Sequence, residues 1–177
     1  MNPWHSISLG KNAPYIVNAI IEIQKGHKTK YELDKESGLL RLDRVLKTDL
    51  CYPFHYGFIP KTLGDDNDPL DILILCSEPL QPLSIVEARV LGGIYLIDNN
   101  ERDDKIIGVA AQDPHLNHLQ QLHDLSSETM ALMTLFFEQY KKHENKIVEI
   151  KSFLSQEEAY QVIQDDFSAY QKNTLNN

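Results

Sequence analysis

Three aspartates lie close together in a short acidic run that begins at Asp66. Asp66 and Asp68 are two residues apart, so in an extended chain their carboxylates leave the same face of the backbone about 6–7 Å apart. Asp71 has the opposite parity, but Pro69 fixes its own φ and lacks an N–H, so a bend there would turn Asp71 towards the other two. An apolar strand follows directly at 72–75. The run therefore predicts a site for a hard cation at the start of a strand.

The acidic run has one plain alternative interpretation and one more specific rival. The first is an acidic surface turn, because Asp and Asn favour turns. The second is a calcium-binding EF-hand loop, and the spacing excludes it. With Asp66 in the first position, Asp71 falls where the turn glycine belongs and Ser77 falls where the bidentate Glu belongs. The run by itself thus leaves a cation site and an acidic turn open.

Further carboxylates are available to complete such a site. A second acidic cluster occupies the loop 98–105 and contains Asp98 and Asp103, although a solvated hairpin loop is the plain alternative there. Glu22 shares its strand face with an isoleucine, and a charge on such a face seldom stays buried unless it is paired or binds a metal. Glu32 alternates with apolar residues, which most simply indicates a strand face in water. Two acidic clusters favour several metal ions over one.

A set of cationic and phenolic side chains is of the kind that grips phosphate: a guanidinium fork, ammonium groups and phenolic hydroxyls. Its members are Arg44, Tyr52, Tyr56, Lys105, Tyr140 and Lys141. Together with the clustered aspartates they predict phosphoryl chemistry in which Mg²⁺ bridges protein and substrate. The sequence has no P-loop glycine motif and no zinc-type histidine motif, and oxygen ligands favour Mg²⁺ or Mn²⁺ over zinc.

The size and charge of the chain narrow the class of protein. Its 177 residues predict a single domain over 1–177. A formal net charge of −9 argues against nucleic-acid binding and against a basic membrane-binding face. No apolar stretch approaches the roughly 20 residues that span a bilayer, and no secretory signal is visible. The two cysteines are expected to be reduced, and we therefore expect a cytoplasmic protein.

The elements predicted from the sequence place strands first and helices last. The predicted strands are 15–23, 28–34, 39–45, 71–76, 85–97, 105–110 and 146–153, and the predicted helices are 127–143 and 156–172. The residues 35–38 are predicted to join the second and third strands as a hairpin loop. Ser155 and Glu158 have the spacing of a capping box, and the aromatic stretch 52–60, broken by prolines, is predicted to be a loop. This order predicts a mainly β fold, a small closed or nearly closed β-barrel with helices packed outside.

The sequence resembles one family, the soluble family I inorganic pyrophosphatases. The resemblance covers about residues 10–170 in order and at family-like spacing, and it includes the run 66–72, which looks like the family's signature. The other matching segments are Glu22, 30–32, 34–38, Asp43, Arg44, 52–57, Asp98, Asp103, Lys105 and 136–141. The resemblance implies a five-stranded OB-like closed β-barrel with two principal helices outside, and the hydrolysis of pyrophosphate to two orthophosphates. The short chain looks like the bacterial form of the family, which is typically a homohexamer.

The resemblance also implies roles for individual residues. The metal ligands would be Asp66, Asp71 and Asp103 for a first Mg²⁺, with Asp71 shared by a second ion, and Asp98, Glu22 and Glu32 for ions that arrive with the substrate. Asp68 would be the base that takes a proton from the attacking water. The phosphates would be held by Lys30, Arg44, Tyr56, Lys105, Tyr140 and Lys141, with Tyr52 in support. Asn99 and Gln139 depart from relatives that often carry Glu and His there, so metal affinity and hexamer pH sensitivity do not carry over.

Two other functions remain open from the sequence. A related metal-dependent nucleotide phosphohydrolase would use a similar site, although no adenine-binding signal is evident, and a comparison of ATP with pyrophosphate separates the two. An OB-type binding module that has kept the fold would need a basic, aromatic groove. This chain instead interleaves its aromatics at 52–58 with an acidic cluster.

Overall fold

The computed structural model describes residues 2–144 and 147–175. The strands of this part of the chain are β1 (Ile16–Ile23), β2 (Thr29–Leu33), β3 (Leu40–Val45), β4 (His55–Phe58), β5 (Asp71–Leu75), β6 (Ile85–Asp98), β7 (Glu101–Arg102), β8 (Lys105–Ala110) and β9 (Val148–Leu154). Its helices are α1 (Pro3–Ser6), α2 (Ser127–Gln139) and α3 (Gln156–Leu175). None of these helices combines the length and apolarity that a membrane crossing requires.

Five strands close into a ring through their hydrogen bonds. β1 pairs with β4, β4 with β5, β5 with β8, β8 with β6, and β6 returns to β1. All of these pairs are antiparallel except β5–β8, which is parallel. The predicted mainly β, five-stranded OB-like fold is thereby confirmed. The predicted hairpin is also confirmed, because β2 and β3 pair as a separate two-stranded sheet.

The longest strand, β6, belongs both to the ring and to an extension of it. Its first half pairs with β1, its second half pairs with β9, and its register against β8 shifts between Val90 and Gly92. A bulge of this kind bends a strand and increases its twist. The bend carries the end of β6, with Asp98, beyond the ring to the turn that leads into β7 and β8.

The sequence prediction is wrong for the centre of the stretch 52–60, where the structure has strand β4 in place of a loop. Tertiary pairing supplies the reason, since β4 lies between β1 and β5 and bonds to both. Gly57 allows this approach: a Cβ atom there would stand 1.9 Å from the carbonyl oxygen of Ile20. Any larger residue would push β4 away from β1.

Both principal helices are present and pack outside the ring, α3 mainly against β6 and α2 against β9. α2 ends at Gln139, earlier than the predicted 143, and β9 begins at Val148. Lys146, the predicted first residue of that strand, lies outside the described residues. The predicted capping box at the start of α3 is confirmed, because the Ser155 N–H donates to Glu158 Oε2 at 2.7 Å.

Candidate active site

One cavity of about 280 Å³ collects the predicted site residues at the edge of the ring. The hairpin β2–β3, the acidic run before β5, the end of β6, the start of β8 and the end of α2 all contribute to its walls. The predicted site residues that line it are Glu22, Lys30, Glu32, Tyr56, Asp66, Asp68, Asp71, Asp98, Asp103, Lys105, Tyr140 and Lys141. Arg44 is the predicted site residue that the structure does not bring to this wall.

The acidic run forms a tight turn that points its carboxylates into the cavity. The Gly64 N–H donates to the Asp68 carbonyl at 2.8 Å, and Asn67 has a positive φ of 65°. The Asp68 N–H donates to Asp66 Oδ1 at 3.0 Å, which fixes the Asp66 carboxylate against the turn. Asn tolerates this left-handed conformation better than most residues. The turn interpretation and the site interpretation of the run are therefore compatible, because the turn is what presents the carboxylates.

Lys105 lies at the centre of the site and joins two of the carboxylates. It faces Asp71 in the register of the parallel pair β5–β8, and its ammonium group bonds to both Asp71 and Asp103. The side chain is almost fully buried. Burial by itself would lower the pKa of Lys105, but the Asp71 and Asp103 carboxylates outweigh it and hold that pKa well above its usual value. Lys105 therefore carries its charge, and Asp71 and Asp103 already face a common cation.

The phenol of Tyr56 completes this group. Its hydroxyl donates to Asp71 Oδ2 at 2.6 Å. Burial, and next the negative charge of Asp71, raise the pKa of Tyr56 well above its usual value, so the hydroxyl keeps its proton and remains a donor. Tyr52 is buried behind it with ring centroids 5.5 Å apart. This arrangement agrees with a supporting position for Tyr52.

A second ion pair closes the far side of the cavity, where Lys141 bonds to Asp98. Asp98 Oδ1 is buried and has no hydrogen-bond partner among the described residues. Burial lowers the pKa of Lys141 although the Asp98 carboxylate opposes the shift. Lys141 follows the C-terminal end of α2, and Asp98 is the last residue of β6. The ion pair therefore joins the end of α2 to the end of β6.

Glu22 is the most buried carboxylate of the cavity, with a relative exposure of 6%. Its Oε1 accepts the Leu33 N–H at 2.7 Å, which ties β1 to the hairpin. Burial, and next the negative charge of Asp71, raise the pKa of Glu22 well above its usual value. Glu22 is thus a buried carboxyl on an apolar strand, the situation in which a charge is expected to be paired or to bind a metal. The charged form of a buried carboxyl group with a raised pKa is strongly stabilised by a nearby cation.

Arg44 lies next to the cavity but does not line it, and it is paired with Lys30 in the register of β2 and β3. Its guanidinium bonds to Asp43 and, at 2.7 Å, to Glu144 Oε1. Lys30 bonds to Glu32 and also approaches Asp43 at 3.3 Å. The Arg44 Nη2 atom is buried without a hydrogen-bond partner in the described residues. Asp43 therefore links the lysine in the wall to the arginine behind it.

The charges of the cavity suit a divalent metal ion. Seven carboxylates and four ammonium groups line it, an excess of three negative charges. In the described part of the chain, no three acidic side chains already converge at metal-binding distances. The unpartnered buried oxygen of Asp98 and the burial that raises the pKa values of Glu22 and Asp71 nevertheless identify carboxylates that a further cation would stabilise. The donor set is all oxygen, which fits Mg²⁺ or Mn²⁺.

The turn after β6 explains one departure from the resembled family. Asn99 and Asn100 both have positive φ, 49° and 70°, and form the tight connection between β6 and β7. Two successive positive φ angles are typical of a type I′ hairpin turn, in which Asn is favoured. Asn99 is therefore suited to the backbone of this turn, where a glutamate would be strained.

Trp4 and Lys35 are among the residues that line the cavity without a role predicted from the sequence. Lys35 lies in the hairpin loop 34–38, a segment that the resemblance included without a role. Trp4 lies far from the predicted elements and carries no periodic signal. A search for unassigned lysines within the resembling segments would have found Lys35, whereas only the tertiary structure locates Trp4.

A second cavity of about 220 Å³ shares Asp66, Asp71 and Asp103 with the first and reaches Asp104 and Asp166. Asp166→Asn is expected to raise the melting temperature in chelator at about pH 8 by about 4 °C or more. Burial, and next the charge of Asp104, raise the pKa of Asp166 to about 7. A carboxyl with a raised pKa contributes stability that is complete at low pH and is lost as the pH rises through that pKa.

Because asparagine stays neutral, the gain from Asp166→Asn should vanish below about pH 4. Thermal unfolding followed by circular dichroism at several pH values measures it. Asp165→Asn, at the neighbouring exposed position, is the matched control and should give a much smaller gain, because the charge of Asp165 is the smallest of the causes that raise the pKa of Asp166. An equal rise in melting temperature at every pH would contradict the raised pKa of Asp166.

The chain is similar to known proteins both in sequence and in structure. The family model described as "Inorganic pyrophosphatase" matches residues 19–171. "Soluble inorganic pyrophosphatase 3" of Arabidopsis thaliana is 46% identical over 96% of this chain and 78% of its own length. The crystal structure of the inorganic pyrophosphatase of Thermus thermophilus superposes with a TM-score of 0.91 at 37% identity, over 96% of this chain and 99% of that one.

The expectation of a bacterial form is less clearly supported than the family itself. The Helicobacter pylori inorganic pyrophosphatase structure has a TM-score of 0.89 at 39% identity and covers 94% of this chain and 99% of that one. The plant protein is longer but more similar in sequence, at 46% identity. Sequence similarity thus points to the plant type, while length agrees with the bacterial structures. The chain belongs to the soluble family I inorganic pyrophosphatases.

Proposed function

We propose that this enzyme, an inorganic pyrophosphatase by family, hydrolyses pyrophosphate to two orthophosphates in a Mg²⁺-dependent reaction without a covalent phosphoenzyme. The observation that carries the proposal is the convergence of seven carboxylates with four ammonium groups in one cavity. Pyrophosphate is highly anionic, so an acidic cavity would repel it unless cations lay between the two. The lysines alone do not balance the carboxylates, which supports divalent ions as the missing charge.

The proposed metal ligands are Asp66, Asp71 and Asp103 for the first ion, and Asp98, Glu22 and Glu32 for ions that arrive with substrate. The unpartnered buried oxygen of Asp98 and the shared cation of Asp71 and Asp103 support this assignment. When bound, divalent ions would supply Lewis-acid chemistry, lowering the pKa of a water towards about 7 and neutralising phosphate charge.

The chain's own groups would carry the remaining steps. Asp68 would take the proton of the attacking water on its carboxylate, which lies at the tip of the acidic turn and is half exposed to the cavity. The phosphates would be gripped by Lys30, Arg44, Tyr56, Lys105, Tyr140 and Lys141. Lys105 and Lys141 are bonded to Asp71, Asp103 and Asp98. We propose that these ammonium groups exchange those carboxylates for phosphate oxygens when substrate binds.

We extend the proposal to the organisation of the protein. A single catalytic domain over 1–177 is supported by the family match to 19–171 and by the continuous ring. A homo-oligomer, a hexamer from the family resemblance, is supported by Leu132 and Leu135 of α2, which are 44% and 46% exposed. A cytoplasmic location is supported by the two free cysteines. The formal net charge of −9 supports neither a nucleic-acid nor a membrane-surface partner.

Phosphate release from pyrophosphate tests the function directly. We expect release with Mg²⁺, a different rate with Mn²⁺, and none in excess chelator, because the carboxylates then have no divalent cation with which to hold the substrate. ATP should be a much poorer substrate than pyrophosphate, since the cavity of about 280 Å³ is small and polar. Folded protein that released no phosphate with Mg²⁺ would overturn the proposal, and salt-dependent binding of single-stranded DNA would then favour a binding module.

A further inference from the structure

The N-terminal segment forms part of the cavity wall although the family match begins only at residue 19. Trp4 of α1 is 7% exposed, and its indole Nε1–H donates to the Thr62 carbonyl at 2.8 Å. The Lys61 N–H donates in turn to the Trp4 carbonyl at 2.9 Å. The ring packs with Leu33 and Phe58, which also line the cavity. Trp4 is therefore held in a fixed orientation between the hairpin and the loop that leads into the acidic turn.

Lys35 lies over this ring and reaches the tip of the acidic turn. Its ammonium nitrogen is 5.4 Å from the Trp4 ring centroid, within the range of a cation–π contact. The same nitrogen forms an ion pair with Asp68 Oδ1 and donates to the Asn67 carbonyl at 3.2 Å. The Asn2 side-chain amide donates to the Lys35 carbonyl at 2.7 Å. The N-terminal segment thus fixes Lys35 through both its backbone and its side chain.

This lysine differs from the other lysines of the site in its partner. Lys105 and Lys141 pair with proposed metal ligands, whereas Lys35 pairs with the proposed base. The Asp68 side chain is 55% exposed, so packing leaves its carboxylate free to adopt several rotamers. A general base must lie within hydrogen-bond reach of the proton that it takes, and small misplacements are costly. A charged partner on a rigid aromatic platform would restrict Asp68 to one orientation.

We propose that Lys35, held by Trp4, is a positioning residue that aims the Asp68 carboxylate at the attacking water. The inference rests on the proposed function, because it requires Asp68 to be the base. It assigns a role to the hairpin loop 34–38 and to a segment that precedes the family match. The side chains of Lys35 and Asp68 are 50% and 55% exposed, so the contribution of their ion pair to folding stability is small. A loss of activity without a loss of stability would therefore report positioning.

Steady-state kinetics of Lys35 variants tests the proposal. Lys35→Gln should lower kcat about fivefold to tenfold while KM stays within about twofold, since the interaction acts on the chemical step and not on binding. Lys35→Arg, which keeps the charge, should recover most of the loss. The melting temperature should not change in either variant. Lys28→Gln is the matched control, because Lys28 is a surface lysine near the same hairpin and lies 3.8 Å from Asp49, away from the cavity.

Trp4 variants test the platform separately. Trp4→Phe keeps an aromatic face but loses the indole donor to the Thr62 carbonyl, so its loss of kcat should be smaller than that of Trp4→Leu, which should reproduce the kcat loss of Lys35→Gln. Because Trp4 is buried, Trp4→Leu also lowers the melting temperature, and its kinetics is measured well below that temperature. A Trp4→Leu enzyme with the parent kcat would overturn the role of the platform.

A double-mutant cycle separates this inference from the function on which it rests. If Lys35 acts through Asp68, adding Lys35→Gln to Asp68→Asn should cause no further loss of kcat. If Lys35→Gln lowered kcat equally in the parent enzyme and in Asp68→Asn, or raised KM with kcat unchanged, the inference would be overturned and Lys35 would be a phosphate-binding residue. Near-native turnover of Asp68→Asn alone would instead overturn the base assignment. A large loss in Asp68→Asn with none in Lys35→Gln would overturn only the positioning role.

Discussion

Asp68→Asn is expected to lower kcat by about 10²–10⁴-fold near neutral pH, the range that general base catalysis contributes. The substitution removes the proton acceptor and keeps the size of the side chain. It also keeps the backbone N–H that donates to Asp66 Oδ1 at 3.0 Å, so the acidic turn should retain its shape. The proposed metal ligands Asp66, Asp71 and Asp103 are untouched. This variant should therefore lose turnover and keep its affinity for metal.

Two measurements together test this expectation. Phosphate release gives kcat and KM, and isothermal titration calorimetry with Mg²⁺ alone gives the affinity for metal. Asp65→Asn is the matched control, since Asp65 lies in the same acidic stretch but lines the second cavity and not the first. Near-native turnover would remove Asp68 as the base. A loss of Mg²⁺ binding as large as the loss of turnover would make Asp68 a metal ligand.

Lys105→Met is expected to lower the free energy of unfolding in chelator by about 3–5 kcal/mol at neutral pH, the usual cost of removing one partner of a buried ion pair. Lys105 is 2% exposed and holds Asp71 and Asp103 together. Without its ammonium group, two neighbouring carboxylates face each other with no cation between them. Saturating Mg²⁺ should restore part of the loss, because a divalent ion bound by those carboxylates replaces the missing charge.

The pH dependence of Lys105→Met follows from the remaining carboxylates. Burial already raises the pKa of Asp71, against the opposing charge of Lys105, and removal of Lys105 would raise it further. A raised pKa means that the folded state gains stability as the carboxyl takes up its proton, so the defect should shrink as the pH falls towards about 4. Urea unfolding at several pH values, with chelator and with Mg²⁺, measures both effects.

A surface lysine provides the comparison for Lys105→Met. Lys151 pairs with Glu149 at 2.7 Å with both side chains about half exposed, so Lys151→Met should change stability little. A Lys105→Met protein as stable as the parent in chelator would show that Asp71 and Asp103 do not depend on its charge. If Mg²⁺ restored none of the stability that Lys105→Met loses, the result would argue against a metal ion bound by Asp71 and Asp103.

The sequence by itself determined most of the elements and predicted what the acidic run could do. The content of Ile and Val predicts β1, alternation and a glycine in the loop predict the hairpin β2–β3, and helical periodicity with side-chain caps predicts α2 and α3, because these signals depend on neighbouring residues. The spacing of the run from Asp66 to Asp71 indicated either a cation site or an acidic turn. The resemblance to the family, which the comparisons confirm, connected that run to distant carboxylates and lysines. The individual roles of those residues stay predictions.

The tertiary structure alone decided which side chains meet and where the ring closes. The sequence around β4 is interrupted by prolines and did not predict a strand. β4 forms because it bonds to β1 and β5, and Gly57 leaves room for the carbonyl of Ile20. Arg44 was expected in the cavity but lies behind Asp43, and Trp4, for which no role was predicted, lines the cavity. Local patterns report the face of a strand or helix, whereas these positions depend on contacts between segments far apart in sequence. Such contacts form only when the ring closes and brings the N-terminal segment, the hairpin and the acidic turn to one side.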